Sequence, residues 1–162
     1  MQPSSFCAID PGASGGYVVR NSAGTVVSVG AYHEPADVVK VVKWMKGMAV
    51  ADYTVAAVIE KVWASPVMGV ASAFSFGENY GAWVMAFRAH GIPIYGVTPQ
   101  QWQRVMAPDI DGQGPARKAA LKVQAAKLFP EIKPTLAICD ALLISEYVLR
   151  RMAERKPLGE QL

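Results

Sequence analysis

Three acidic residues, Asp10, Glu60 and Asp140, lie far apart in the chain, and each borders an apolar run. Asp10 closes Phe6-Cys7-Ala8-Ile9 and Glu60 closes Val55-Ala56-Ala57-Val58-Ile59, whereas Asp140 opens Ala141-Leu142-Leu143-Ile144. A carboxylate in such a position is costly to bury alone, so it calls for a cation, hydrogen bonds or neutralisation. Together the three offer the hard oxygen ligands that Mg²⁺ or Mn²⁺ prefers, and a pair of such ions can hold both the attacking water and the leaving oxygen of a phosphodiester cleavage. Taken singly, each acid also reads as a helix cap, a turn residue or an ion-pair partner. Only the set of three points to a metal site.

The elements around the acids say how they could meet. Strands are predicted near 5–10, 16–21 and 25–31, with Pro11-Gly12-Ala13-Ser14-Gly15-Gly16 as a glycine-rich turn and Asn21-Ser22-Ala23-Gly24 as a hairpin connection, giving an antiparallel meander. Val38, Val41, Val42 and Met45 alternate with Lys40, Lys43 and Lys46 over 36–48 at helical spacing. A strand at 54–60 follows, then a long helix from just after Pro66 to about His90, ended by Gly91, and a fifth strand at 92–97. Helices are expected at 99–106, 115–128 and 136–153, the last with Asp140 in its first turn. The result is an α/β fold, a mixed five-stranded sheet covered by helices on both faces. On the long helix, Gly69, Ala73, Gly77 and Gly81 form a small-residue stripe, and Phe76, Tyr80, Trp83 and Phe87 an aromatic one. One must pack on the sheet, and the other either faces a second copy or is buried in the same subunit.

With 162 residues, 52% of them hydrophobic, the chain has room for a well-buried core and shows no linker, so 1–162 reads as a single domain. Net charge is only +3, but residues 98–162 hold ten basic groups against seven acidic, and Arg117, Lys118, Lys122, Lys127 and Lys133 cluster around a lone Glu131. That strip suits a phosphate backbone or, equally, a solvated helix face. Cys7 and Cys139 make neither a zinc motif nor a disulfide framework and read as reduced core thiols. No signal peptide or membrane span is evident, since Glu78 and Asn79 interrupt the most apolar stretch, and an intracellular, cytoplasmic protein is expected. His33 and His90 read as structural or surface residues.

In family order along nearly the whole chain, Ile9-Asp10-Pro11-Gly12 with Gly15-Gly16, Ile59-Glu60-Lys61-Val62-Trp63, Ser72 through Gly81, Val97-Thr98-Pro99-Gln100-Gln101-Trp102 and Asp140-Ala141-Leu142-Leu143-Ile144 resemble a RuvC-type Holliday junction resolvase. The motifs are closest to the bacteriophage-like branch of that family, within the RNase H-like superfamily. The resemblance implies a homodimeric, metal-dependent endonuclease that nicks opposing strands of a four-way DNA junction. Asp10, Glu60 and Asp140 would be its catalytic metal ligands, holding two Mg²⁺ or Mn²⁺ ions per subunit. Trp63 takes the place of an aromatic residue that could stack on an unpaired base, with ordinary core packing as the other reading. Gly112 to Lys118 resembles a loop whose lysine approaches the scissile phosphate, so Lys118, then Arg117 and Arg104, are expected DNA contacts. The 67–90 helix is the expected dimer contact.

The family's fourth ligand, one turn before the final aspartate, is missing. Ala137 and Leu136 stand there, and neither binds a cation. Thr135, Glu131, Asp109 and Asp111 are candidates to supply it from elsewhere, and weaker occupancy of one ion or an inactivating change are further explanations. Two rivals therefore stand beside the nuclease: a junction-binding dimer with weakened cleavage, and a nucleotide-binding protein of the actin and sugar-kinase kind, whose first phosphate loop resembles residues 10–16. The second normally needs two such domains.

Overall fold

Turn chemistry and strand alternation place the acids. The computed structural model describes residues 2–50, 54–64, 66, 68–112 and 114–162, the Val50 side chain excepted. β1 (Ser5–Asp10), β2 (Gly16–Asn21) and β3 (Val26–Ala31) form the expected meander, with Gly24 at φ +90° in the second turn. Helix α1 (Pro35–Val50) carries the chain to β4 (Val55–Glu60), and α2 (Val70–Ala89) carries it on to β5 (Ile94–Val97). Both β1–β4 and β4–β5 are parallel pairs. Helices α3 (Pro99–Met106), α4 (Gly114–Leu128) and α5 (Cys139–Ala153) follow. A sixth strand, β6 (Glu160–Gln161), pairs antiparallel with β5 and completes the order β3-β2-β1-β4-β5-β6. The expected sheet of five thus has six strands. Two residues between Gly159 and the last leucine are too short for any alternation to show in the sequence.

Side-chain alternation divides the core into two layers. Phe6, Ala8, Ala56 and Val58 pack with α3, α4 and α5 on one face, whereas Cys7, Ile9, Ala57 and Ile59 pack with α1 and α2 on the other. Helix α1 buries Val38, Val41, Val42 and Met45, the apolar row read from the sequence. Helix α5 is buried almost all round, because it lies between the sheet and helices α3 and α4. An ion pair holds it there: Arg20 of β2, itself buried, reaches Glu146 at 2.8 Å while its guanidinium lies over the Phe129 ring.

Helix α5 begins at Cys139, not at 136, and residues 136–138 form a turn. The positions where a fourth ligand was sought are therefore outside the helix proper. Helix α2 begins at Val70; the sequence-based start near Val67 falls outside the described residues. Along α2 the aromatic stripe is the one that packs, with Trp83 and Phe87 fully buried and stacked at 6.2 Å. The small-residue stripe faces outward. A Cβ at Gly69, Gly77 or Gly81 would meet nothing within 4 Å, and Val70 and Phe74 are 87% and 68% exposed. Burial of both stripes within one subunit is excluded.

The turn after β1 is drawn in tightly. A Cβ on Gly15 would fall 2.2 Å from the Asp10 carbonyl oxygen, so any larger residue forces the loop off β1. Gly15→Ala is expected to destabilise the protein by about 1–3 kcal/mol, the range for overpacking. Denaturant titration checks this, and a wild-type midpoint would mean the loop yields at no cost.

Candidate metal centre

Asp10 and Glu60 share a face because they share a parity. Asp10 follows Phe6 and Ala8, and Glu60 follows Ala56 and Val58, all pointing toward α5. The parallel register pairs Ile9 with Ile59, so the next step sets the two acids side by side on strands about 4.8 Å apart. They lie at the carboxyl ends of these strands, the usual site end of a parallel sheet. Asp140 comes to them in the first turn of α5, where the helix dipole favours a negative charge.

A single ammonium binds the group together. Lys118 Nζ, from the second turn of α4, donates to Asp140 Oδ2 and stands 3.6 Å from Asp10 Oδ2. Asp10 Oδ1 accepts the Gly12 N–H at 3.0 Å, and Glu60 Oε1 accepts the indole N–H of Trp102 at 2.7 Å. Asp10 and Asp140 are buried and Glu60 is partly so. Burial pushes the Glu60 carboxyl up to about 8, with the Asp10 charge acting in the same direction. Burial likewise raises Asp10, opposed by the Lys118 charge, while the two aspartates hold the Lys118 ammonium above its ordinary value. Cys139 packs beside the group with Sγ 3.3 Å from Asp140 Oδ1; both cysteines are free and buried, as expected.

Among the described residues, no three His, Cys, Asp or Glu side chains are closed around a common point. Lys118 occupies the space between Asp10 and Asp140, and one Glu60 oxygen, Oε1, is held by Trp102. The donor set nevertheless fits a divalent cation: every donor is a carboxylate oxygen, and the gap between two of them already selects a positive charge. Among the described residues, none of the four candidates for the fourth ligand gathers here. Asp109 and Asp111 are exposed between α3 and α4, Thr135 offers its carbonyl to Cys139 N–H, and Glu131 lines a cavity with Arg20 and β3.

The expected DNA contacts separate. Trp63 is 55% exposed three residues beyond Glu60, so the core reading of this side chain is excluded. Lys118 is at the centre of the group. Arg117 is engaged inside the chain, donating to the Ile110 carbonyl and, at 2.8 Å, to Gln103 Oε1. It clamps the segment between α3 and α4, an arrangement a basic run cannot reveal. Arg104 is exposed on α3 and lines a cleft with Tyr147 and Arg151, which lie roughly 10–16 Å along α5 from Asp140 by helical rise. Trp102 is the site residue that sequence reasoning left without a role, although its motif was visible. A cavity of about 900 Å³ lies near Thr54, Val55, Gly91 and Ile92 at the opposite end of the sheet, away from all three acids.

Two solved structures align along nearly the whole chain. A Thermus thermophilus RuvC in complex with a Holliday junction substrate matches with TM-score 0.66 at 15% identity, covering 98% of this chain and 99% of the other. A Thermus thermophilus RuvC structure matches with TM-score 0.56 at 20% identity over the same shares. The fold is that of RuvC. It is the expected RNase H-like α/β architecture, with one more strand than the sequence showed. Neither a family model nor a curated protein matches the chain. Among the described residues, no helix of this RuvC fold is long and apolar enough to cross a membrane.

The raised carboxyls make metal-free stability depend on pH. Since the Glu60 carboxyl titrates near 8 in the fold and near 4.5 unfolded, the native state holds the extra proton between those values. Stability should therefore fall as pH rises through that window, by at most about 1.4 kcal/mol per unit for one group. Melting curves in chelator from pH 4.5 to 8 test it. Glu60→Gln should flatten the decline, and an equal slope in both proteins would count against the burial argument.

Proposed function

We propose that this chain is a metal-dependent, structure-selective endonuclease that resolves four-way or related branched DNA by paired nicks. The observation that carries the reading is the convergence of Asp10, Glu60 and Asp140 with a lysine at the strand ends of a RuvC fold, beside the exposed indole of Trp63. A RuvC of this fold has been captured with a Holliday junction substrate, which supports the same substrate class here. The motif set favours the bacteriophage-like branch, a single nuclease domain over 1–162 and action in the cytoplasm.

In this mechanism the three acids would hold Mg²⁺ or Mn²⁺, two ions per subunit. When bound, those ions supply an activated water and charge stabilisation for in-line attack on the phosphodiester. The chain's own residues do the positioning. Gly12 N–H fixes one Asp10 oxygen, leaving Oδ2 to face Lys118. As a phosphate approaches, the Lys118 ammonium can pass from the carboxylates to a phosphate oxygen, keeping its charge neutralised throughout. Trp63 presents a ring for a base unstacked near the cut, a contact worth roughly 1–3 kcal/mol. Arg104 is a peripheral phosphate contact. Arg117, bonded internally, serves to place α4 and so Lys118.

Two copies are needed for two nicks, and the outward stripe of Gly69, Ala73, Gly77 and Gly81 with exposed Val70 and Phe74 supports a homodimer through α2. Gly77→Lys should leave the subunit folded, because its Cβ has open space, yet shift sedimentation from dimer to monomer. A dimer that survives the lysine would remove α2 as the interface.

The missing fourth ligand favours one second reading, a junction-binding dimer with weakened cleavage. Incubation with a synthetic four-way junction and Mn²⁺, resolved on a denaturing gel, separates the two. Symmetric nicks are expected, lost in Asp10→Asn while a gel-shift complex persists. A retarded but intact junction would establish the binder, and cutting by Asp10→Asn would overturn the ligand assignment. Ala137→Asp should lower the metal concentration needed for cleavage, although its turn position outside α5 makes this the smaller effect.

A further inference from the structure

The segment Thr98-Pro99-Gln100-Gln101-Trp102 has no part in the mechanism above, yet Thr98, Pro99, Gln101 and Trp102 all contribute to one contact. Glu60 pairs with Val97 across the parallel β4–β5 register, so the chain leaves β5 beside the carboxylate. Thr98 caps α3 at once: its hydroxyl accepts Gln101 N–H at 3.2 Å, and Gln101 Oε1 accepts Thr98 N–H at 2.7 Å. Pro99 occupies the first helical position, where a missing N–H costs nothing. This reciprocal cap sets the first turn of α3, and the fourth helical residue, Trp102, is thereby swung back over Glu60. Its ring is wholly buried, and its only polar atom donates to Glu60 Oε1 at 2.7 Å.

We propose that Trp102 is a positioning residue for the metal centre: its indole N–H holds one Glu60 oxygen, so that the other is presented to a cation shared with Asp10 and Asp140. An indole nitrogen only donates, so Glu60 Oε1 must accept from it and cannot turn away without leaving a buried donor unpaired. Outer hydrogen bonds of this kind orient ligating carboxylates and commonly set metal affinity by roughly 10–100-fold. The inference rests on the metal-dependent reading and deepens it.

The test is Mn²⁺ binding to the full chain without DNA, followed by the electron paramagnetic resonance signal of the free ion. Trp102→Phe keeps most of the ring and removes the N–H. It should weaken Mn²⁺ binding roughly tenfold or more while the metal-free protein still unfolds cooperatively. A merely structural role would weaken binding equally whatever stands at 60, so the same change is made in Glu60→Gln. There it should have little further effect, as expected when two residues act through one contact. Equal losses in both backgrounds, or wild-type affinity in Trp102→Phe, would overturn the positioning role while leaving the metal reading intact. Absence of Mn²⁺ binding by the wild-type chain would overturn both. Should Trp102→Phe fail to fold, Gln101→Ala, which loosens the cap and spares the indole, is expected to weaken Mn²⁺ by a smaller factor, and no weakening would overturn the proposal.

Discussion

Gathering negative charge at the dry end of a sheet is the constraint around which this molecule is built. Asp10, Glu60 and Asp140 repel one another, and burial strengthens that repulsion. Each is answered by a specific donor: Gly12 N–H for Asp10, the Trp102 indole for Glu60, and the Lys118 ammonium for Asp140 and Asp10 together. Those three donors come from three separate elements, the β1–β2 turn, α3 and α4. Their placement explains why the glycine turn is so tight, why α3 is capped on both sides of its first turn, and why α4 lies against α5.

The second constraint is connectivity. Parallel pairing of β1 with β4 needs a crossover, and α1 provides it, covering the sheet face away from the acids. The other face is left to α3, α4 and α5, all of which lie later in the chain. The division separates roles: one side of the sheet is committed to the helices that carry or support the candidate site, and the other to α1 and α2, the outer surface of α2 being left uncovered in the single subunit.

Much of this was legible in residue pattern. The runs ending at Asp10 and Glu60 marked buried strands, and the valine row of α1 marked an amphipathic helix, because each is set by short-range periodicity. What could not be read was set by distant partners. Strand β6 exists only because β5 offers an edge, and Lys61 with Glu160 ties it there at 2.5 Å. Arg117 looks like any basic residue in a lysine-rich stretch, and its use inside the chain depends on the Ile110 carbonyl and Gln103. Trp63 and Trp102 are both tryptophans near Glu60, yet one is exposed and the other buried, a distinction that only the path of α3 decides. The onset of α5 at Cys139 was hidden because residues 136–138 read as helix but form a turn.

Helix α5 is enclosed on nearly every side, and it carries Asp140 in its first turn. An acid mounted this way cannot shift without disturbing packing throughout the interior, so the anvil of the site is stationary. On the proposed reading, accommodation of differently shaped DNA would fall to side chains on longer or freer mounts, the tether of Lys118 at the centre of the group and the exposed ring of Trp63. On that reading, bond breaking and tolerance of shape would be assigned to different parts of the molecule, and selection could tune the latter without retuning the former.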